Sequence, residues 1–534
     1  MGRRLLQLLS GAGLSCLGLV VGIAFGLILT PYLVSSLGDA SYGIYVVASL
    51  FAGWCGLLDF GLTTTTSRYI TRYYVQDDKQ GVNEVGSTAI LLFGGISFLV
   101  FLASIAAFFA ASLWTQNLDP SGELSWALFL SGTSFAISKI SDGVAGVIRG
   151  SLHYELTGGT TLVFRFIWGL VTFGILYFGG RVRALCLGSG IVTALQLLTY
   201  IVLVRHSTPS FVFSFKKFRK DRARELLGYG FYAFLAQIGE LAVNRSDLII
   251  IAALMSSSDV GRYNLVVVTL TSYFNSFLTE ASTWETNWFT RSVSLSERGA
   301  ESGSQKSPVK TAPQNGKRLY SEDFYISKDW ITRVSIYATI FMSFGLIAIG
   351  PSFLERWIGK ERLSCYPALF ICALALGIYR GASEVNNRAL QGVARHKIYA
   401  YGAIVHGVLN VVLSVVLVKL GMGLQGVALG GAAPGFFIWY LWVPMIACRI
   451  LGEDARTYWR RQLRATVIAI LALVAPTLCV TQWIAPTYPR VIGLSILAFV
   501  LYFPTVWKLG FSSQERAVLI SNARSFMRKA GTNS

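Results

Sequence analysis

Apolar stretches of about twenty residues recur along almost the whole chain, and they constrain its fold more than any other feature. A helix needs about 20 mainly apolar residues to cross the hydrocarbon core, because lipid offers the backbone no hydrogen-bond partner outside the segment itself. The 534 residues hold fourteen such segments, near 12–34, 43–66, 86–113, 124–148, 157–180, 184–204, 228–254, 263–289, 330–354, 365–387, 398–418, 424–448, 465–484 and 491–507. Charged residues make up only 14% of the chain, against about 25% in soluble domains. The mean hydropathy is +0.55. A soluble enzyme, a disordered chain and a disulfide scaffold are excluded, and the fold class predicted is an all-α polytopic membrane protein.

The net charge of +19 reports orientation rather than nucleic-acid binding, because the basic residues lie between the apolar runs. Counted from the N-terminus, alternate loops carry 33 of the 46 Lys and Arg, and the intervening loops carry 8. Both termini are therefore expected on the cytoplasmic side. Arg3 and Arg4 precede an apolar run that extends to Leu33, longer than the 7–15 residues of a signal-peptide core, so an uncleaved first helix is expected. The seven Cys show no CxxC and no Cys/His cluster, so neither zinc nor structural disulfides are expected.

Two segments are too polar to span. Residues 205–227 include Lys216, Lys217, Arg219, Lys220, Arg222 and Arg224 and form a basic cytoplasmic connector that touches anionic headgroups. Residues 291–328 are rich in Ser, Gly and charge, a composition that predicts disorder.

An internal repeat organises the spans. Asp39-Ala-Ser-Tyr42-Gly43 opens the second span and Asp259-Val-Gly-Arg262-Tyr263 opens the eighth, at an offset of 220. Lys139, Asp142 and Arg149-Gly150 near the end of the fourth span correspond to Arg380, Glu384 and Gln391-Gly392 near the end of the tenth, where Asp142 falls on Glu384 and Gly150 on Gly392 at an offset of 242. An even number of spans per copy relates the copies by an axis along the membrane normal. The domains expected are a six-helix bundle at 1–204, the connector 205–227, a second six-helix bundle at 228–448, two further helices at 449–509 and a cytoplasmic tail at 510–534.

Leu37-Gly38, Tyr42-Gly43, Tyr45, Leu57-Leu58-Asp59-Phe60-Gly61-Leu62 and Arg68 together resemble the N-terminal signature of polysaccharide flippases. These are exporters of lipid-linked oligosaccharides in the multidrug/oligosaccharidyl-lipid/polysaccharide superfamily. Arg149-Gly150 with His153-Tyr154, Gln391-Gly392 with Arg395, and Gly423 with Gly426-Val427-Ala428 resemble further helix ends of that family. The resemblance implies two pseudo-symmetric bundles around a central cavity, rocking between inward- and outward-open states. It also implies a polyprenyl-pyrophosphate-linked repeat unit as cargo, in a bacterial inner membrane, with polysaccharide polymerase or export machinery as partners. The insert at 291–328 and the two spans beyond twelve depart from some members.

Ionisable groups inside spans cost roughly 2.5–3.5 kcal/mol each at mid-bilayer, so they should face a cavity or pair. Arg245, Arg165, Lys139 and Arg380 are the candidate contacts for the pyrophosphate and sugars. Asp59, Glu240, Asp142 and Glu384 are the candidates for proton or sodium coupling, or for a gate. Lys139 with Asp142 at i,i+3, and Arg380 with Glu384 at i,i+4, are also spaced to pair along one helix face as a neutral structural device. No GxxxxGK[ST] is present for ATP, and Gly421-x-Gly423-x-x-Gly426 joins two membrane helices rather than following a strand, so no cofactor and no catalysis are expected. The rival readings are a drug or metabolite antiporter of the same superfamily, and a membrane-embedded glycan polymerase or glycosyltransferase. The short outer loops weigh against the enzyme.

Overall fold

In the computed structural model, the described residues are 2–59, 61–114, 122–276, 278, 289, 320, 322–393, 395, 397–473, 488–513 and 515–516. Side chains are described from residue 22 onward, except at positions such as 228–237, 240, 242 and 244. Among the described residues every regular element is helical and none is a strand. Most of the loop expected to be disordered, and residues 277 and 279–288 of the eighth span, lie outside the described residues.

Contacts divide the chain into two compact units, one formed by Met1–Leu265 with Ala403–Val411 and the other by Val266–Gly402 with Val412–Ser534. The first unit is built from α1 (Gly2–Cys55), α2 (Leu62–Val75), α3 (Lys79–Trp114), α4 (Glu123–Gly150), α5 (Tyr154–Tyr177), α6 (Val182–Ser207), α7 (Lys220–Leu254) and α8 (Ser257–Tyr263). α9 (Glu322–Phe344), α10 (Gly350–Ile358) and α11 (Tyr366–Gly392) follow, then α12 (Lys397–Leu417), α13 (Gly423–Gly435), α14 (Val443–Leu451), α15 (Ala455–Ala472) and α16 (Tyr488–Gly510).

Among the described residues, seven helical runs are long and apolar enough to cross a membrane. Two of them, Gly22–Cys55 and Lys397–Leu451, each take in two of the expected spans, in the first case both only in part. The first run bends at Gly38, whose φ of 76° and ψ of 163° only glycine adopts without strain. The expected span 43–66 is interrupted: a 3-10 turn at Gly56–Asp59 and a left-handed Gly61 separate α1 from α2. α4 and α7 fall outside the seven because their apolar faces carry charge.

The exposed apolar residues form stripes at helical spacing. α5 turns out Val163, Phe166, Leu170, Phe173 and Tyr177, and α6 turns out Leu187, Ile191, Leu195, Leu198 and Val202. Such stripes would be liabilities in water and are what lipid solvates. The inward faces close through small residues, as membrane helices do when no hydrophobic effect drives them together. On α4, a Cβ at Gly132 would lie 2.0 Å from Oγ of Ser104 on α3, and one at Gly143 would lie 2.8 Å from the Phe93 ring.

The two repeat-related segments meet inside the first unit. Arg262 donates to Asp39 at 3.1 Å, and Asn264 donates to the Tyr42 hydroxyl at 3.1 Å. A Cβ at Gly43 would lie 1.9 Å from the Ser257 carbonyl oxygen, and one at Gly261 would lie 2.8 Å from that of Asp39. Ser256 and Asp259 close a reciprocal capping box that sets the start of α8 for this contact.

Candidate functional site

Three of the predicted site residues come together where α1 ends. Lys139 on α4 is only 8% exposed; its ammonium donates to Oδ2 of Asp142 at 2.7 Å and lies 5.0 Å from the centre of the Phe135 ring. Asp59, 6% exposed, closes the 3-10 turn and accepts from the Thr63 hydroxyl at 3.2 Å. It lies within electrostatic reach of both Lys139 and Asp142. One cation thus serves two carboxylates, which leaves a formal surplus of one negative charge in an apolar bundle. Because the effective dielectric constant is low there, such a charge interacts more strongly than it would in water.

In the second unit Glu384 is held between two arginines of α11. Arg388 Nη2 reaches Oε1 of Glu384 at 2.8 Å and Arg380 Nη2 reaches Oε2 at 3.5 Å. The i,i+3 and i,i+4 spacings therefore produce real pairs, so Lys139 and Arg380 are both charge-compensated in this state.

Arg165 and Arg245 are both exposed. Arg165 on α5 reaches α1, where a Cβ at Gly22 would lie 2.9 Å from its Nη1, so glycine leaves room for the guanidinium. Arg245 is on α7, and no carboxylate among the described residues pairs with it. Glu240 is on the same helix, and its side chain lies outside the described residues.

One further cluster is absent from the predicted set. Oδ2 of Asp247 accepts from the Tyr263 hydroxyl at 3.0 Å, and Oδ1 accepts from Nδ2 of Asn410 at 2.9 Å. The same amide donates to the Ser246 hydroxyl at 3.1 Å. In the sequence Asp247 is one of several intramembrane acids, and its partner Asn410 is uncharged and 163 positions away, so no local pattern joins them. A half-buried carboxylate among hydroxyl and amide groups offers oxygen ligands to a proton or a hard cation. Among the described residues no three His, Cys, Asp or Glu side chains converge to hold a metal ion.

Against known proteins, residues 8–283, just over half of the chain, match the family described as polysaccharide biosynthesis protein. Over 245 residues the chain is 27% identical to the probable flippase AglR of Haloferax volcanii; the match covers 45% of this chain and 46% of that protein, so about half the length of that relative is spanned. Among solved structures, the lipid II flippase MurJ in an inward closed conformation superposes with a TM-score of 0.63 at 15% identity, covering 92% of this chain and 98% of that one. An inward-facing multidrug resistance MATE transporter of the MOP superfamily superposes with a TM-score of 0.61 at 14% identity, covering 81% and 96%. These likenesses show a transporter fold shared by flippases and drug exporters, in a multi-pass membrane protein. By its family match, the chain belongs to the polysaccharide biosynthesis protein family.

Proposed function

We propose that the chain is a flippase that moves a polyprenyl-pyrophosphate-linked oligosaccharide repeat unit across a bacterial inner membrane for surface polysaccharide biosynthesis, by alternating access. The observation that carries this reading is charge held inside helices whose outer faces are apolar stripes: Lys139, Asp142 and Asp59 in one unit, Arg380, Glu384 and Arg388 in the other. A phosphate-sugar headgroup needs such polar contacts in transit, while its polyprenyl tail stays in lipid. The family match, a relative named as a probable flippase and the fold of a lipid II flippase support it.

In this reading Arg245, Arg165, Lys139 and Arg380 contact the pyrophosphate and sugars, and Lys139 and Arg380 begin the cycle on carboxylate partners. Lys139 and Arg380 exchange those partners for cargo during the cycle. Asp59, Glu240, Asp142 and Glu384 brace the gate or carry a coupling proton or sodium ion, and Asp247 joins them on its geometry. Both termini lie on the cytoplasmic side, and the product passes to polymerase or export machinery. The protein performs no covalent chemistry.

The test is translocation of a labelled polyprenyl-pyrophosphate oligosaccharide by purified protein in liposomes, with and without proton and sodium gradients, for wild type, Arg245→Gln and Arg165→Gln. Translocation that depends on a gradient and falls in both variants is the expected result. Uptake of small organic cations with no lipid translocation would replace this reading with the antiporter.

A further inference from the structure

We propose that the connector between α6 and α7 is a built docking strap for anionic phospholipid headgroups at the membrane surface, whatever the cargo. The connector is fixed in place rather than loosely solvated. Oδ1 of Asn83 on α3 accepts from the amide of Val212 at 2.5 Å, and Nδ2 donates to the carbonyl of Ser210 at 3.1 Å. Four and five positions further along α3, Ser87 accepts from the amide of Ser214 at 3.3 Å and Thr88 from that of Arg219 at 3.2 Å. Phe211 is buried against Gly86, where a Cβ would meet its ring at 2.5 Å.

With its backbone tied down, the strap turns out Phe213, Phe215 and Phe218, and Phe215 is 74% exposed. Phe213 and Phe215 pack edge to face at 5.2 Å, so the rings present a joint surface. Between them and after them stand exposed Lys216 and Lys220 and half-buried Lys217, whose ammonium donates to the Val212 carbonyl at 3.2 Å, and no acidic residue occurs from Arg205 to Lys220. The strap also sits at a defined depth. The exposed apolar stripe of α6 ends at Val202, followed within a turn by exposed Arg205 and His206 and then by the strap.

Aromatic rings beside lysines at the rim of an apolar band fit the zone where acyl chains give way to headgroups. The rings enter the acyl boundary and the ammonium groups take the phosphates. A soluble phosphate compound would leave three exposed phenylalanines without a partner. An anionic bilayer satisfies both halves of the surface.

The experiment is native mass spectrometry of the purified full-length chain titrated with phosphatidylglycerol and with phosphatidylcholine. Attraction to anionic lipid is worth about five-fold per engaged lysine. Wild type is expected to retain phosphatidylglycerol over phosphatidylcholine by at least about that factor, and Lys216→Gln/Lys217→Gln/Lys220→Gln to lose the preference. The control Lys360→Gln/Lys419→Gln/Lys508→Gln removes the same charge elsewhere and is expected to keep it. Phe213→Ser/Phe215→Ser, which alters only exposed rings, is expected to weaken retention with an unchanged unfolding midpoint. Equal retention of the two lipids by wild type, equal loss in the control, or undiminished retention without the rings overturns the proposal.

Discussion

The guanidinium of Arg262 donates to the carboxylate of Asp39 at 3.1 Å across 223 positions of sequence, joining the two segments that the internal repeat makes equivalent. The pair is partly exposed on both sides, 38% for Arg262 and 20% for Asp39, so water screens it. Its worth is therefore about 0.2–1 kcal/mol. A double-mutant cycle of Asp39→Asn and Arg262→Gln, read by thermal unfolding in detergent, should return a coupling of that size. Additive effects would mean that the contact rests on backbone packing alone.

That packing is the stronger constraint. A Cβ at Gly43 would lie 1.9 Å from the Ser257 carbonyl oxygen, a backbone atom that cannot swing aside. Gly43→Ala should cost about 1–3 kcal/mol, as overpacking usually does. Gly53 lies further along the same helix with nothing within 4 Å of its would-be Cβ. Gly53→Ala should be neutral or slightly stabilising, because alanine is the better helix former. Equal losses of unfolding temperature at the two sites would refute the steric account.

Period and apolar length made the helices legible in the sequence. α4, α5 and α6 begin and end within a few residues of the expected spans, because their apolar runs stop at Gly, Pro or charge, while α3 starts seven residues early on the polar turn at Lys79. The pairs Lys139–Asp142 and Arg380–Glu384 were equally legible, since helix geometry brings i,i+3 and i,i+4 together. The arrival of Asp59 beside the first pair was not, because it depends on the 3-10 turn that follows α1. The bond from Asn410 to Asp247 joins helices far apart in sequence and involves an uncharged side chain that no hydropathy count marks. The strap was visible as charge but not as a fixed element, because its ties run through Asn83, Ser87 and Thr88 of another helix.

Removing Lys139 should be among the most damaging single changes in the first unit. Lys139→Met leaves Asp59 and Asp142 without their shared cation in a buried site, a loss of about 3–5 kcal/mol. Lys139→Met/Asp142→Leu removes both members of the ion pair and should recover much of that loss. Unfolding midpoints of the two variants check this. A double variant no more stable than the single would show that Asp59 alone carries the penalty.

Acid should loosen the end of α16. Arg333 on α9 bonds to the Gly510 carbonyl at 2.9 Å and forms a close ion pair with Glu515. Burial alone would raise the Glu515 carboxyl, but hydrogen bonds from Arg333 and Ser512 outweigh it and hold the group down to about 2, from an ordinary 4.5. A depressed carboxyl pKa stabilises the folded state above the unfolded value, and that contribution fades as pH falls from about 4.5 toward 2. Amide exchange around Gly510 should quicken over this window in wild type. In Glu515→Gln the window should disappear. A wild-type response centred above pH 5 would exclude Glu515 as its source.

Asp247 offers the sharpest separation of structure from transport. Its carboxylate accepts from Tyr263 and Asn410, and the side-chain carbonyl of asparagine can replace only one of those acceptors. Asp247→Ala removes the acceptor of both bonds and should cost about 1–3 kcal/mol, with Asp247→Asn costing less. If the group carries a coupling proton or cation, Asp247→Asn should fold, bind cargo and lose the dependence of translocation on an imposed gradient. A purely structural role would instead lower stability and rate together while the gradient dependence survives. Liposome translocation at several imposed gradients, set beside the unfolding midpoint of the same preparation, distinguishes the two. Retained gradient dependence in a well-folded Asp247→Asn protein would return the coupling role to Asp59 and its neighbours.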